Sequence, residues 1–110
     1  MIFITGPLYA GKRDYIRTAL GLSEEEFREK AVWDVQNRAA TENVCSLAEE
    51  LSRYEIVIAT EVGAGLVPVT PESRVKREAA GRLACLLAER AETVIRVCCG
   101  LPQLLKGDWP

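Results

Sequence analysis

The sequence predicts an α/β fold, with one domain over residues 1–110 and a small, mostly parallel sheet of about four strands. A length of 110 residues corresponds to one domain and allows one hydrophobic core. Apolar residues make up 48% of the chain and charged residues 27%, which are ordinary values for a globular protein. Short apolar runs alternate with segments of helical periodicity, a pattern typical of parallel strands joined by helices.

The first part of the chain predicts one strand and two helices. Met1 to Thr5 is a β-branched and aromatic run, as in a buried strand. Gly11 to Leu20 has the apolar spacing of a helix. Ser23 and Glu26 then form a capping-box pattern, which predicts a short acidic helix that continues to Lys30. We expect this acidic helix to be a solvated face and not part of a site.

The middle of the chain predicts a strand, a helix and a second strand. Ala31 to Val35 is mostly apolar and predicts a strand, and Thr41 is the expected cap of the helix that follows. Glu55 to Ala59 is apolar on both faces, as in an interior parallel strand. Apolar residues of the helix recur with the spacing of one helical face, at Val44, Leu47, Ala48 and Leu51.

The last part of the chain predicts a loop, a long helix and a final strand. Thr60 to Val69 is rich in glycine, and Thr70 is the expected cap of a helix that ends near Ala91. Thr93 to Cys98 predicts the last strand, which Gly100 to Pro102 should break. The predicted buried face of the long helix comprises Ala79, Leu83, Leu86, Leu87 and Ala91.

Charge and composition exclude several classes of function. The 14 Lys and Arg residues against 16 Asp and Glu residues argue against a nucleic-acid-binding domain, which needs a basic surface. The chain has no histidine, so a histidine base, metal ligand or phosphohistidine is excluded. The chain contains no signal-peptide pattern and no apolar run long enough for a membrane span, so we expect a cytoplasmic protein. The 4 cysteines are expected to be buried free thiols.

A phosphate-binding motif lies between the first predicted strand and the first helix. The segment Gly6 to Arg13 fits the pattern Gly-x4-Gly-Lys, whose backbone N–H groups and lysine bind phosphate oxygens. The motif favours a three-layer fold like that of the P-loop NTPases and predicts GTP or ATP as the ligand. The alternative is that the two glycines only form a turn and a helix cap. The predicted ligand-binding residues are Gly6, Tyr9, Ala10, Gly11, Lys12 and Arg13.

Position 13 departs from the motif. A serine or threonine whose hydroxyl binds Mg²⁺ is usual there, but this chain has Arg13. Either Arg13 adds a cation that partly replaces the metal, or the loop has kept its shape and lost catalysis. Asp34 and Glu61 are the candidate Mg²⁺ ligands because each follows a predicted strand, and Lys12 and Glu61 are the candidate catalytic residues. The alternative for both carboxylates is a surface or capping role.

The segment Ile58 to Pro68, Ile-Ala-Thr-Glu-Val-Gly-Ala-Gly-Leu-Val-Pro, is more specific than the phosphate motif. It resembles the Asn-Glu-Val-Gly-x-Gly-Ile-Val-Pro signature of the adenosylcobinamide kinase / adenosylcobinamide-phosphate guanylyltransferase family. Val94 to Gly100 and the following Leu-Pro resemble the closing motif of that family. The resemblance covers residues 1–20 and 55–107, and its further matching positions are Arg74, Arg77, Gly81, Arg82, Leu105 and Lys106.

The resemblance implies a role in cobalamin assembly. The family phosphorylates a hydroxyl of adenosylcobinamide, transfers GMP to that phosphate through a guanylylated histidine, and forms oligomers, trimers in known cases. It therefore implies a nucleotide, a corrinoid and copies of the same chain as partners. Since the chain has no histidine and lacks the segment that carries it in the family, guanylyl transfer by that route is excluded. A trimmed kinase, a non-catalytic relative and a fold used only for assembly are the hypotheses left open.

Overall fold

In the computed structural model, which describes residues 1–62 and 70–110, a five-stranded sheet lies between two pairs of helices. The described elements follow each other in the order β1 (Ile2–Gly6), α1 (Lys12–Leu20), α2 (Glu24–Lys30), β2 (Ala31–Val32), a 3₁₀ helix (Val35–Arg38), α3 (Val44–Leu51), β3 (Ile56–Thr60), α4 (Pro71–Arg90), β4 (Thr93–Cys98) and β5 (Leu101–Lys106). The Gly-rich loop predicted for residues 60–69 lies mostly outside the described residues.

The strand order is β2-β3-β1-β4-β5. Strand β1 pairs in parallel with β3 and β4, and β5 pairs antiparallel with β4. The expectation of about four strands was therefore wrong, because the chain continues as β5 after the predicted break. Cys99 (φ 54°) and Gly100 (φ 74°) turn the backbone back on itself, and Pro102 is tolerated because β5 is an edge strand.

Alternate residues of the central strands pack against opposite faces of the sheet. Phe3 and Val57 face α3 and α4, whereas Ile4 and Ile58 face α1 and α2. Both sets of side chains are almost fully buried, as expected for interior strands of a sheet that helices cover on both sides. The three-layer arrangement predicted from the alternating pattern is thus present in the described residues.

Local capping explains where most helices begin. Ser23 and Glu26 form the predicted capping box of α2, with both side-chain-to-backbone bonds 3.2 Å long. Thr70 caps α4 as predicted, since its Oγ1 accepts a bond of 3.1 Å from the backbone N–H of Ser73. The cap predicted for α3 at Thr41 was wrong: the helix begins later, and its cap is Asn43. The side chain of Asn43 accepts a hydrogen bond of 3.0 Å from the backbone N–H of Ser46. Thr41 lies too far before Ser46 in the chain to make this capping bond.

The second strand is shorter than the predicted Ala31 to Val35. Strand β2 ends at Val32 because Asp34 has a left-handed backbone (φ 56°) and begins the 3₁₀ helix. Gln36 in that helix accepts a hydrogen bond of 2.9 Å from the backbone N–H of Thr60. This bond connects the segment after β2 to the end of β3.

The cysteines are free thiols, but the expectation that they are buried was wrong. Cys45, Cys85 and Cys99 are exposed, and Cys98 is intermediate. Cys45 and Cys85 lie on helix faces that turn away from the sheet, and Cys99 lies in the turn between β4 and β5. Among the described residues, no helix combines the length and the apolar character that a membrane span needs.

Candidate functional site

The candidate site lies at the carboxyl ends of β1 and β3. The helix after β1 packs on one face of the sheet, and the helix after β3 packs on the other. The two connections therefore diverge and leave a crevice between neighbouring strand ends, which is where open α/β sheets bind ligands. Lys12, Asp34 and Thr60 line the cleft at this edge, whose volume is about 680 Å³.

The loop between β1 and α1 depends on close backbone packing. Gly6 has φ 149°, and a Cβ at this position would overlap the carbonyl oxygen of Val97 in β4. Tyr9 (φ 57°) and Gly11 (φ 83°) both have positive φ, with Ala10 between them. The carbonyl of Ala10 accepts a bond of 2.8 Å from the N–H of Gly100. The turn between β4 and β5 therefore contacts the backbone of the loop between β1 and α1 and stabilises it.

The side chain of Lys12 lies inside the loop. Only 8% of this residue is exposed, and its Nζ donates a hydrogen bond of 2.7 Å to the carbonyl oxygen of Pro7. Burial lowers the pKa of Lys12, and the nearby carboxylates of Asp34 and Glu61 partly oppose this shift. The ammonium group thus lies against the backbone of the segment between β1 and α1. Tyr9, by contrast, is 94% exposed at the rim of the loop.

Glu61 is paired with Arg96, which is not among the residues that the sequence predicted for the site. Arg96 Nε donates to Glu61 Oε1 at 2.6 Å, and Arg96 Nη2 donates to Oε2 at 3.1 Å. This bidentate pair raises the pKa of the Arg96 guanidinium. The sheet register explains the contact, since Thr5 of β1 lies opposite both Ala59 and Arg96. Arg96 interrupts the apolar run of β4, and a charged residue within a strand is the sequence feature that could have indicated a role for it.

Asp34 lies on the other side of the crevice. It is exposed, it follows β2 directly, and its side chain does not cap the 3₁₀ helix that it begins. Its carboxylate acts electrostatically on Lys12. The fold therefore brings Lys12, Asp34 and Glu61 to the same edge of the sheet, as the sequence predicted, although Glu61 is engaged by Arg96.

Helix α2 forms one wall of the cleft, which corrects the expectation that it is only a solvated face. Phe27 of α2 is buried and stacks on Trp33, with ring centroids 5.4 Å apart and ring planes 18° apart. The guanidinium of Arg13 lies over the Trp33 ring, 5.6 Å from its centroid. The charged residues Glu24 and Arg28 of α2 and Arg17 of α1 also line the cleft. The capping-box pattern predicts where α2 begins, but it does not predict that Phe27 is buried against the cleft.

The donor set at this edge offers a magnesium ion fewer oxygen ligands than the motif usually does, with Asp34 as the carboxylate that is not bound by an arginine. Mg²⁺ requires oxygen ligands in octahedral geometry. Both carboxylate oxygens of Glu61 accept bonds from Arg96, and a guanidinium occupies position 13, where the motif usually has a hydroxyl. Over residues 1–62 and 70–110 there is no group of three or more His, Cys, Asp or Glu side chains that could hold a metal. Asp34 and Glu61 as metal ligands stay a prediction without geometric support.

One family model matches the chain. It is described as cobinamide kinase / cobinamide phosphate guanyltransferase, and it matches residues 18–105. The match begins within α1 and includes α2, Asp34, Glu61 and Arg96, whereas the segment Gly6–Arg13 precedes it. No curated protein matches the chain.

Proposed function

The chain belongs to the cobinamide kinase / cobinamide phosphate guanyltransferase family, and we propose that it binds a nucleoside triphosphate, with the phosphates in the loop Gly6–Arg13. The observation that carries this proposal is the position of Lys12. Its Nζ is held inside the loop by one backbone carbonyl, that of Pro7, 2.7 Å away. A phosphate oxygen is a stronger acceptor than a carbonyl and would replace it.

The surroundings of the loop support an anionic ligand. The loop continues into the first turn of α1, whose backbone N–H groups and helix dipole favour negative charge. The positive φ values of Tyr9 and Gly11 are typical of loops whose successive N–H groups converge on an anion. Lys12 and Arg13 follow directly, so two cations are close to the same point.

Kinase-type phosphoryl transfer is the reaction that this arrangement would serve. Such transfer depends on positioning and on neutralising the charge of the phosphoryl group, for which Lys12 is the candidate. The acceptor in this family is a cobinamide, and the cleft beside Trp33 and Asp34 is the space open to an acceptor hydroxyl. Glu61 as a catalytic carboxylate stays a prediction, and its bidentate pair with Arg96 favours a positioning role.

The binding proposal is tested by calorimetric titration of the wild type and Lys12→Ala with GTP and ATP. We expect micromolar binding by the wild type and a loss of roughly tenfold or more in the variant, since a charged hydrogen bond to phosphate is removed. Lys76→Ala is the matched control, because Lys76 is an exposed lysine of α4 that is not among the residues lining the cleft. Absence of binding at millimolar nucleotide would refute the proposal.

A second candidate function is that of a non-catalytic relative that binds nucleotide without turnover. The observation in its favour is that Arg13 replaces the hydroxyl that usually binds the metal and that Arg96 donates to both oxygens of Glu61, a candidate metal ligand. Incubation of the protein with GTP and cobinamide, followed by mass spectrometry, separates the two functions. A phosphorylated product that Lys12→Ala does not form indicates the kinase, whereas binding without product indicates the non-catalytic relative.

A further inference from the structure

We propose that Arg13 supplies the second positive charge on the nucleotide phosphates, so that the loop binds its ligand without a divalent cation. The inference rests on the proposed nucleotide binding and specifies how that site neutralises charge. It starts from the small number of oxygen ligands that the site offers to magnesium. Of the positions that would offer oxygen ligands to a metal, position 13 has a guanidinium and Glu61 is bound through both oxygens by Arg96, which leaves the carboxylate of Asp34.

Arg13 is placed to reach the loop. It follows Lys12 in the first turn of α1, and it lines the same cleft as Lys12 and Gly11. Its side chain is exposed, so it can move without disturbing the core. An arginine fork matches phosphate oxygens bidentately and stays charged at all physiological pH values.

Before a ligand binds, Trp33 holds the side chain of Arg13 at the cleft. The ring of Trp33 is fixed by its stack on the buried Phe27, and the guanidinium lies 5.6 Å from the Trp33 centroid. A cation–π contact at an exposed site is weak compared with a charged hydrogen bond to phosphate. The contact therefore restricts the rotamers of Arg13 beside the loop and yields when a phosphate arrives.

The surrounding charges agree with this role. Both oxygens of Glu61 accept hydrogen bonds from Arg96, which compensates much of the charge of this carboxylate and weakens its attraction for Arg13. Asp34, the carboxylate that acts on Lys12, lies in the same cleft and balances part of the positive charge before the ligand binds. The cleft as a whole is lined by four cationic side chains and three carboxylates, so a positive excess is available to an anionic ligand: Lys12, Arg13, Arg17 and Arg28 against Asp14, Glu24 and Asp34.

The test measures the affinity of the full chain for a non-hydrolysable GTP analogue, and for its ATP counterpart, in EDTA and in millimolar Mg²⁺. For the wild type we expect dissociation constants that agree within about threefold between the two conditions. Arg13→Ser removes the cation and restores the usual hydroxyl. We expect this variant to bind about 10- to 100-fold more weakly in EDTA and to recover part of that loss in Mg²⁺.

Arg13→Lys and Trp33→Leu are the controls. Arg13→Lys keeps the charge and should retain most of the EDTA affinity, whereas Trp33→Leu keeps Arg13 and should weaken binding by less than Arg13→Ser. Thermal unfolding checks that each variant is folded. Wild-type binding that requires Mg²⁺, or unchanged EDTA affinity in Arg13→Ser, would overturn the inference while nucleotide binding itself stands. Absence of wild-type binding in both conditions overturns nucleotide binding and, with it, the inference.

Discussion

Lys12 is the residue whose surroundings decide the chemistry of the loop. Buried ammonium groups lose hydration, so the charged form needs compensation from acceptors and nearby carboxylates. In this protein the Pro7 carbonyl and the carboxylates of Asp34 and Glu61 supply it. The pKa of Lys12 is nevertheless lowered, because burial outweighs these favourable contacts.

The pKa of Lys12 is open to direct measurement. Burial lowers it from 10.5, and the Asp34 carboxylate opposes that shift. Asp34→Asn should therefore lower the pKa of Lys12 further, because the charged form loses an attractive partner. A ¹³C NMR titration of labelled lysine side chains in the wild type and the variant checks this. An unchanged or raised Lys12 pKa in Asp34→Asn would show that the two groups do not interact.

Gly6 is the position where a side chain is least tolerated. Its Cβ would overlap the Val97 carbonyl oxygen, a backbone atom that cannot rotate away, and its φ of 149° is strained for other residues. We expect Gly6→Ala to lower the free energy of unfolding by about 3 kcal/mol, measured by urea denaturation.

Gly81 is the matched control for Gly6. It lies in α4 with open space around the position of a Cβ. Gly81→Ala should raise the free energy of unfolding by about 0.5–1 kcal/mol, since alanine is the better helix former. Equal stability of Gly6→Ala and the wild type would contradict the close approach of β1 and β4.

At the scale of elements, the roles of α2 and β5 depend on tertiary contacts that their own sequences do not indicate. Helix α2 has the sequence of an acidic surface helix, yet it presents Phe27 to Trp33 and forms a wall of the cleft. Strand β5 contains a proline and is mostly exposed, but it pairs with β4 along its length. The role of α2 depends on its place beside the loop between β1 and α1, and the role of β5 depends on the turn that brings it back to β4.

Strand β5 also stabilises the end of α4. The Lys106 Nζ donates bonds of 2.9 Å and 3.0 Å to the carbonyl oxygens of Ala88 and Glu89 in the last turn of the helix. These carbonyls lack partners within the helix, and a cation at this end also complements the helix dipole.

We expect Lys106→Met to lower the free energy of unfolding by about 0.5–1 kcal/mol, because the aliphatic stem is kept and the two donated bonds are lost. Lys76→Met, at an exposed lysine in the first half of α4, should change it by less than about 0.5 kcal/mol. Chemical denaturation of both variants compares them directly. A loss of the same size in both would mean that the effect belongs to surface charge in general.

At the scale of the whole molecule, the strand order places the candidate residues together. Strand β1 is central, and the helices after β1 and β3 lie on opposite faces of the sheet. This divergence opens the crevice that Lys12, Asp34 and Thr60 line. The same central strand contributes Phe3 to one core and Ile4 to the other, so the two cores share one sheet.

A shared sheet predicts that the chain unfolds as one domain. Trp33 packs against the α1–α2 core, whereas far-UV circular dichroism reports all helices and strands. In a Trp109→Phe background, which removes the other tryptophan, the fluorescence and dichroism transitions in urea should coincide. Separate midpoints would show that the two sides of the sheet unfold independently.

Local features of this protein could be predicted from the sequence because their causes lie within a few residues. The loop between β1 and α1, the capping box of α2 and the Thr70 cap depend on neighbouring residues, and the absence of histidine is a property of composition. The Glu61–Arg96 pair joins residues 35 positions apart, and the Arg13–Trp33 contact requires α1 and the end of β2 to meet. Strand register and helix packing decide such contacts, and these follow from the burial of the whole core rather than from any local pattern.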